Sequence, residues 1–183
     1  MRSGTPPLRP ARLDEADAIE ALMKASIREL FPHFYDARQT ASSVVYVGEV
    51  DRMLIADGTY YVAEAAGEIV ACGGWSRRDR LYTGSGDGAD DARLLDPTSE
   101  GARIRAMFVR ADWTRRGLGR AILDACQSAA RSEGFTRLQL LATLPGEQLY
   151  RAFGFEPTGD SQMVRLPDGV LVECVPMARP VDQ

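Results

Sequence analysis

The stretch from residue 102 to residue 134 constrains the fold more than any other part of the chain. Ala102 to Val109 reads as a strand. After it comes Thr114-Arg115-Arg116-Gly117-Leu118-Gly119-Arg120, and then Leu118, Ala121, Ile122, Ala125 and Ala129 form an apolar stripe at helical spacing, with Gly134 as its C-terminal stop. A turn between a strand and a helix can aim backbone N–H groups at an anion, and the helix end adds partial positive charge. Gly117 and Gly119 lack Cβ atoms, so the backbone there can approach a phosphate and adopt dihedrals other residues resist; Arg115, Arg116 and Arg120 reinforce the charge. A Walker-type site needs Gly-Lys-Ser/Thr after a longer loop, and a Rossmann site needs three glycines within a βαβ unit; neither is here. The competing reading is a solvated basic loop ahead of a helix.

Around this segment the pattern is mixed. Ile19, Leu22, Met23, Ile27 and Leu30 recur at helical spacing, with Asp14 as the expected N-cap and Pro32 as the stop. A second helix is expected after Asp36, which stands at capping-box spacing from Gln39. Thr59 to Ala65 and Glu68 to Trp75 read as a hairpin, Phe135 to Thr143 as a strand and Glu147 to Phe153 as a short helix. Ser161 to Leu166 and Val170 to Met177 form a final hairpin around Pro167-Asp168-Gly169. Periodicity vanishes between Arg77 and Glu100, where Gly84-Ser85-Gly86-Asp87-Gly88 has the composition of a lid-like loop. Helices interleaved with hairpins and single strands predict an α+β fold: a mixed central sheet with helices packed on its faces.

At 183 residues and 45% hydrophobic content the chain suits one domain, expected over 8–177 with short tails at 1–7 and 178–183. A formal net charge of -4 argues against a nucleic-acid partner. Cys72, Cys126 and Cys174 are far apart, which fits neither a metal knuckle nor a redox pair and favours a reducing, cytoplasmic setting; no metal is expected. The first ten residues carry three prolines and no apolar run, so neither a signal peptide nor a membrane anchor is expected.

Two segments resemble one family. Val109 to Gly119 is similar to motif A of the GNAT superfamily of acyltransferases, whose signature is Gln or Arg, two variable residues, Gly, one variable residue, then Gly or Ala. Gly117 and Gly119 match; Thr114 stands at the first position, which bears only on that residue's side-chain contribution. Leu149-Tyr150-Arg151-Ala152-Phe153-Gly154-Phe155 resembles the family's final helix, a Tyr followed by three residues and Gly-Phe. The resemblance covers about residues 8 to 177 and implies a mostly antiparallel central sheet.

The resemblance also implies a function: transfer of an acetyl group from acetyl-CoA to a primary amine of a small molecule or peptide, by direct attack in a ternary complex. On this reading Thr114, Arg115, Arg116, Gly117, Leu118, Gly119 and Arg120 hold the pyrophosphate. The main chain of Met107, Phe108 and Val109 clasps the pantetheine, and the Tyr150 phenol protonates the departing sulfur. Some family members carry a catalytic Glu on the central strand, whereas this one has Arg103 and Arg105. His33, Glu29 and Glu173 are the candidate bases, and water or an acceptor of low pKa could make a base unnecessary.

Strict alternation puts Arg105 on the same side as Met107, where it could pair with a substrate carboxylate; the plainer reading is an ion pair with Asp90, Asp91 or Glu100. Residues 31–46 and 77–100 are expected to set the acceptor. The apolar hairpin from Val164 to Val175 offers an edge on which two copies could pair. Two rival functions stand beside the enzyme: a non-catalytic acyl-CoA sensor, and a binder of some other phosphorylated ligand or of nucleic acid through Arg115, Arg116 and Arg120.

Overall fold

In the computed structural model, which describes residues 4–81 and 93–182, the helices take their places from their apolar stripes. Helix α1 (Ala16–Leu30) buries Ile19, Leu22, Met23 and Ile27 on one face. Asp14 does not cap it. A 3-10 turn over Leu13–Glu15 comes first, and Glu15 occupies the cap position with its carboxylate accepting from the Arg12 N–H at 2.9 Å and from Arg9. Pro32 falls in a second 3-10 turn, Phe31–His33, because its ring cannot continue the α-helical bonding. Helix α2 (Ala37–Tyr46) begins at the expected capping box: Gln39 N–H donates to Asp36 Oδ1 at 2.7 Å and Asp36 N–H to Gln39 Oε1 at 2.9 Å. A short helix the periodicity did not reveal, α3 (Arg52–Ala56), starts on Asp51, whose carboxylate accepts from the Met53 N–H. Helices α4 (Leu118–Ser132) and α5 (Glu147–Phe153) complete the set.

Eight strands form one sheet among the described residues: β1 (Leu8–Pro10), β2 (Tyr60–Ala65), β3 (Glu68–Ser76), β4 (Ala102–Val109), β5 (Arg137–Thr143), β6 (Glu156–Pro157), β7 (Gln162–Arg165) and β8 (Leu171–Pro180). Their order is β1-β2-β3-β4-β5-β8-β6, with β7 also paired to β8. Only β4 and β5 run parallel. Helices α4 and α5 cover one face, where Trp75, Ile104, Leu118, Ile122, Leu138 and Phe155 share a core. The opposite face carries α1 to α3 over two further clusters: one joins α1 and α3 to β2, the other joins Ile27, Phe31 and Tyr35 to the β7–β8 hairpin. The architecture is the expected α+β fold with a mixed, mostly antiparallel sheet.

The expected boundary at 177 is too early. Strand β8 pairs with β5 as far as Pro180, and Val181 is buried beneath it. The polar letters of Ala-Arg-Pro conceal this: the Arg179 guanidinium lies 4.5 Å from the Phe153 ring centroid and donates to the Phe153 carbonyl, so a charged residue serves as a packed one. The feet of the 77–100 segment are tied together by a bridge between Arg78 and Leu94 and by a bond from the Leu95 N–H to the Arg77 carbonyl at 2.8 Å, over a buried Leu95. The Gly84–Gly88 stretch, and the lid expected there, lie outside the described residues.

Candidate active site

The site begins where β4 and β5 part. They pair only at Ala102 with Leu138 and Arg103 with Gln139. Beyond that point β4 bulges: its register on β3 steps from Gly74–Arg105 to Cys72–Phe108, so Ala106 and Met107 together oppose Gly73. Ala106 adopts φ 50°, a conformation non-glycine residues avoid, and the Tyr60 hydroxyl pins it by donating to its carbonyl at 2.7 Å. A bulge bends its strand and increases local twist. Strand β5 stays paired with β8 along its whole length. A cleft of about 660 Å³ opens between the two strands, lined by Ile104 to Val109 on one side and by Leu140, Leu141 and Thr143 on the other.

The bulge also overturns the expectation that Arg105 and Met107 share a side. Two successive residues, Arg105 and Ala106, face the α1 layer, after which Met107 and Val109 pack toward α4. Arg105 is 2% exposed and donates to Asp51 at 3.1 Å, and Arg80 approaches the same carboxylate at 3.4 Å. Glu100 is engaged by Arg93, while residues 90–91 lie outside the described part. Arg105 thus ties β4 to the start of α3 and already has a carboxylate partner.

At one end of the cleft is the first turn of α4. Its cap, Gly117, sits at φ 84° and ψ 4°, and no side chain caps the helix. The first-turn N–H groups have no partner within the helix, so they remain available to an anion. Thr114, Arg115, Gly117, Leu118, Gly119 and Arg120 line the cleft together with Met107, Phe108 and Val109. Arg116 does not: its guanidinium lies 4.4 Å from the Trp113 ring centroid. The Thr114 hydroxyl is spent on the Ala111 carbonyl at 2.9 Å, and the Ser26 hydroxyl donates to the Val109 carbonyl at 3.1 Å. Gly119 has a second use beside the one expected. A Cβ there would lie 2.7 Å from Leu149 Cδ2, so its small size lets α5 come close to α4.

That approach carries Tyr150 into the same cleft. The ring is 9% exposed and meets Phe155 edge-on at 5.8 Å. Burial raises its pKa above the usual phenol value, so the hydroxyl stays protonated at neutral pH. It has no hydrogen-bond partner among the described residues.

The candidate bases are not brought together with it. His33 and Glu29 are exposed and off the cleft. Glu173 contributes its carbonyl to the Tyr35 hydroxyl at 2.7 Å, while its neighbours Val172 and Cys174 face the cavity. Among the described residues that line the cleft there is no Asp, Glu or His. The end opposite α4 is walled by Phe31, Phe34, Val164, Leu166, Val172 and Cys174, and burial pushes the Cys174 thiol up to about 12, which keeps it neutral. Sequence reasoning missed Ser26, Asp51 and the β7–β8 side of this wall. Asp51 had a local signal, an Asp just ahead of Arg-Met-Leu-Ile. The hairpin wall had none, since its position depends on the whole sheet.

No helix among the described residues is long and apolar enough to cross a membrane, and none of their His, Cys, Asp and Glu side chains form a metal-binding group. Solved structures share the fold. A GCN5-related N-acetyltransferase from Rhodopseudomonas palustris matches with a TM-score of 0.73 at 20% identity, covering 98% of both chains. The paia N-acetyltransferase from Thermoplasma acidophilum, in complex with coenzyme A, matches at 0.65 and 10% identity, over 95% of this chain and 98% of its own. The protein yncA from Salmonella typhimurium, solved with its cofactor acetyl-CoA, matches at 0.62 and 16% identity, over 98% and 96%. At such identities these structures speak for the fold. Residues 56–157, more than half of the chain, match the model of the acetyltransferase (GNAT) domain. With the parted strands, the glycine-capped helix and the cleft tyrosine already in place, the chain belongs to the GNAT family of acetyltransferases.

Proposed function

We propose that this protein is an acetyl-CoA-dependent N-acetyltransferase that moves the acetyl group to a primary amine of a small molecule or peptide by direct attack within a ternary complex. One observation carries the reading: a single cleft holds both an uncapped helix N-terminus and a buried, protonated phenol. Complexes of two fold relatives with coenzyme A and acetyl-CoA support it. When bound, acetyl-CoA supplies an acetyl group activated as a thioester. The first-turn N–H groups of α4, with Arg115 and Arg120, would hold its phosphates, and the main chain of Met107 to Val109 would hold its arm. Tyr150 is the proton donor to the departing sulfur. Its raised pKa is no obstacle, because the burial that raises a phenol's pKa also raises that of a thiol beside it, so the transfer stays near balance. The acceptor's own proton passes to water.

The experiment is thiol release from acetyl-CoA against a panel of amines, amino acids, polyamines and peptides, with Tyr150→Phe in parallel. Acceptor-dependent release, lowered about 100-fold in Tyr150→Phe without weaker acetyl-CoA binding, is the expected outcome. Full turnover in Tyr150→Phe would remove the phenol as the acid. Binding of acetyl-CoA with no release for any acceptor would favour a sensor, the reading to which the lack of a carboxylate or imidazole in the described lining lends weight.

A further inference from the structure

The cleft is strongly asymmetric. Its α4 end has arginines and unpaired N–H groups, whereas its far end is walled by Phe31, Phe34, Val164, Leu166, Val172 and Cys174. These six side chains come from four stretches of chain: Phe31 and Phe34 from α1's exit, Val164 from β7, Leu166 from the hairpin bend, and Val172 and Cys174 from β8. Three of the polar groups nearby are already committed. The Ser26 hydroxyl is bonded to the Val109 carbonyl, the Tyr35 hydroxyl donates to the Glu173 carbonyl, and the Arg105 guanidinium is paired with Asp51. An acceptor bearing a second ammonium would find no carboxylate among the described lining residues, and a buried charge left unpaired is strongly disfavoured. One bearing a carboxylate would have to compete with Asp51 for Arg105.

Resting on the acetyltransferase reading above, we propose that the acceptor is a primary amine on an uncharged apolar body, alkyl or aromatic, that seats this body in the far lobe. The amine gives up its ammonium proton to bulk water before it attacks, since the described lining offers no carboxylate or imidazole to take it. Its nitrogen lone pair forms the C–N bond to the acetyl carbon as the C–S bond breaks. The sulfur keeps that bond's electron pair and takes one proton, and the nitrogen sheds one proton to water, leaving an amide and free coenzyme A thiol.

The test measures kcat/KM for thiol release with n-alkylamines from butyl to octyl, phenethylamine, spermidine, lysine and glutamate, with acetyl-CoA binding followed by calorimetry on the same protein. Each added methylene that reaches the lobe should raise kcat/KM about fourfold, and the best apolar amine should exceed spermidine at least tenfold. Phe34 lines the lobe yet is 52% exposed, so Phe34→Glu should fold; it should shift the ratio of octylamine to spermidine at least tenfold toward spermidine. A flat alkyl series, or spermidine, lysine or glutamate as the best acceptor, overturns the apolar assignment and leaves the acetyltransferase standing. Failure to bind acetyl-CoA, or binding without release from any amine, overturns the proposal together with the catalytic reading beneath it.

Discussion

Gly117→Ala isolates what the left-handed cap contributes. A Cβ at this position meets nothing within 4 Å, so the substitution carries no steric penalty and its cost is conformational. At φ 84° an alanine is disfavoured by about 1–2 kcal/mol, partly offset by about 0.4–1 kcal/mol from the less flexible unfolded chain. A net loss near 1 kcal/mol lowers the Tm of a chain this size by about 2–4 °C. The strain can also be relieved by rotating residue 117 out of the left-handed region, which no capping side chain resists. That rotation swings the first-turn donors away from the cleft, and losing one hydrogen bond to a charged phosphate costs about 1.5–3 kcal/mol. Calorimetry should therefore show acetyl-CoA binding at least about tenfold weaker. Gly117→Asn, whose side chain tolerates left-handed φ, should recover most of that affinity. If Ala binds as tightly as Gly, the cap conformation is not what orients the donors. If Asn binds as poorly as Ala, side-chain bulk matters and the dihedral argument is wrong.

Asp51→Ala removes the carboxylate that Arg105 and Arg80 share, and with Arg105 only 2% exposed it should destabilise the fold by about 3 kcal/mol in chemical denaturation; a loss below about 1 kcal/mol would show the pair to be incidental. Glu15 is held at about 2, below its usual 4.5, chiefly by its hydrogen bonds from Arg9. A depressed carboxylate stabilises the fold fully above pH 4.5 and loses that contribution as pH falls toward 2. Because Arg9 is a third exposed, the effect is about 1 kcal/mol, and Glu15→Gln should flatten the stability slope across that window; an unchanged slope would assign the acid sensitivity elsewhere.

The elements most legible in the sequence were those whose signals are local. Asp36 and Gln39 announce α2 because a capping box spans only four residues, and Gly117 and Gly134 bracket α4 because both act on their own backbone. Tyr150 and the α4 turn were found through family-like spacing, and the fold brings them to one cleft. Arg105 was misplaced because alternation assumes an unbroken ladder, while the β4 bulge is created by a partner strand some thirty residues earlier and fixed by Tyr60. Where the Arg116 side chain would go was not legible, because composition cannot tell a guanidinium aimed at a ligand from one stacked on Trp113. The end of β8 was read as tail because Arg and Pro look solvent-bound until Phe153 is placed beneath Arg179.

The narrow contact between β4 and β5 gives the sheet a mechanical character. Strands β1 to β4 and β5 to β8 are two half-sheets clasped at two register positions, with the Arg103 guanidinium bridging the Gly101 carbonyl and the Gln139 side chain at that clasp. Val109 lies six residues further along β4, about 20 Å of extended chain from the fulcrum. A difference of a few degrees in the angle at the clasp would therefore change the width of the mouth by about an ångström, so the packing at Arg103 and Gln139 sets how wide the cleft stands.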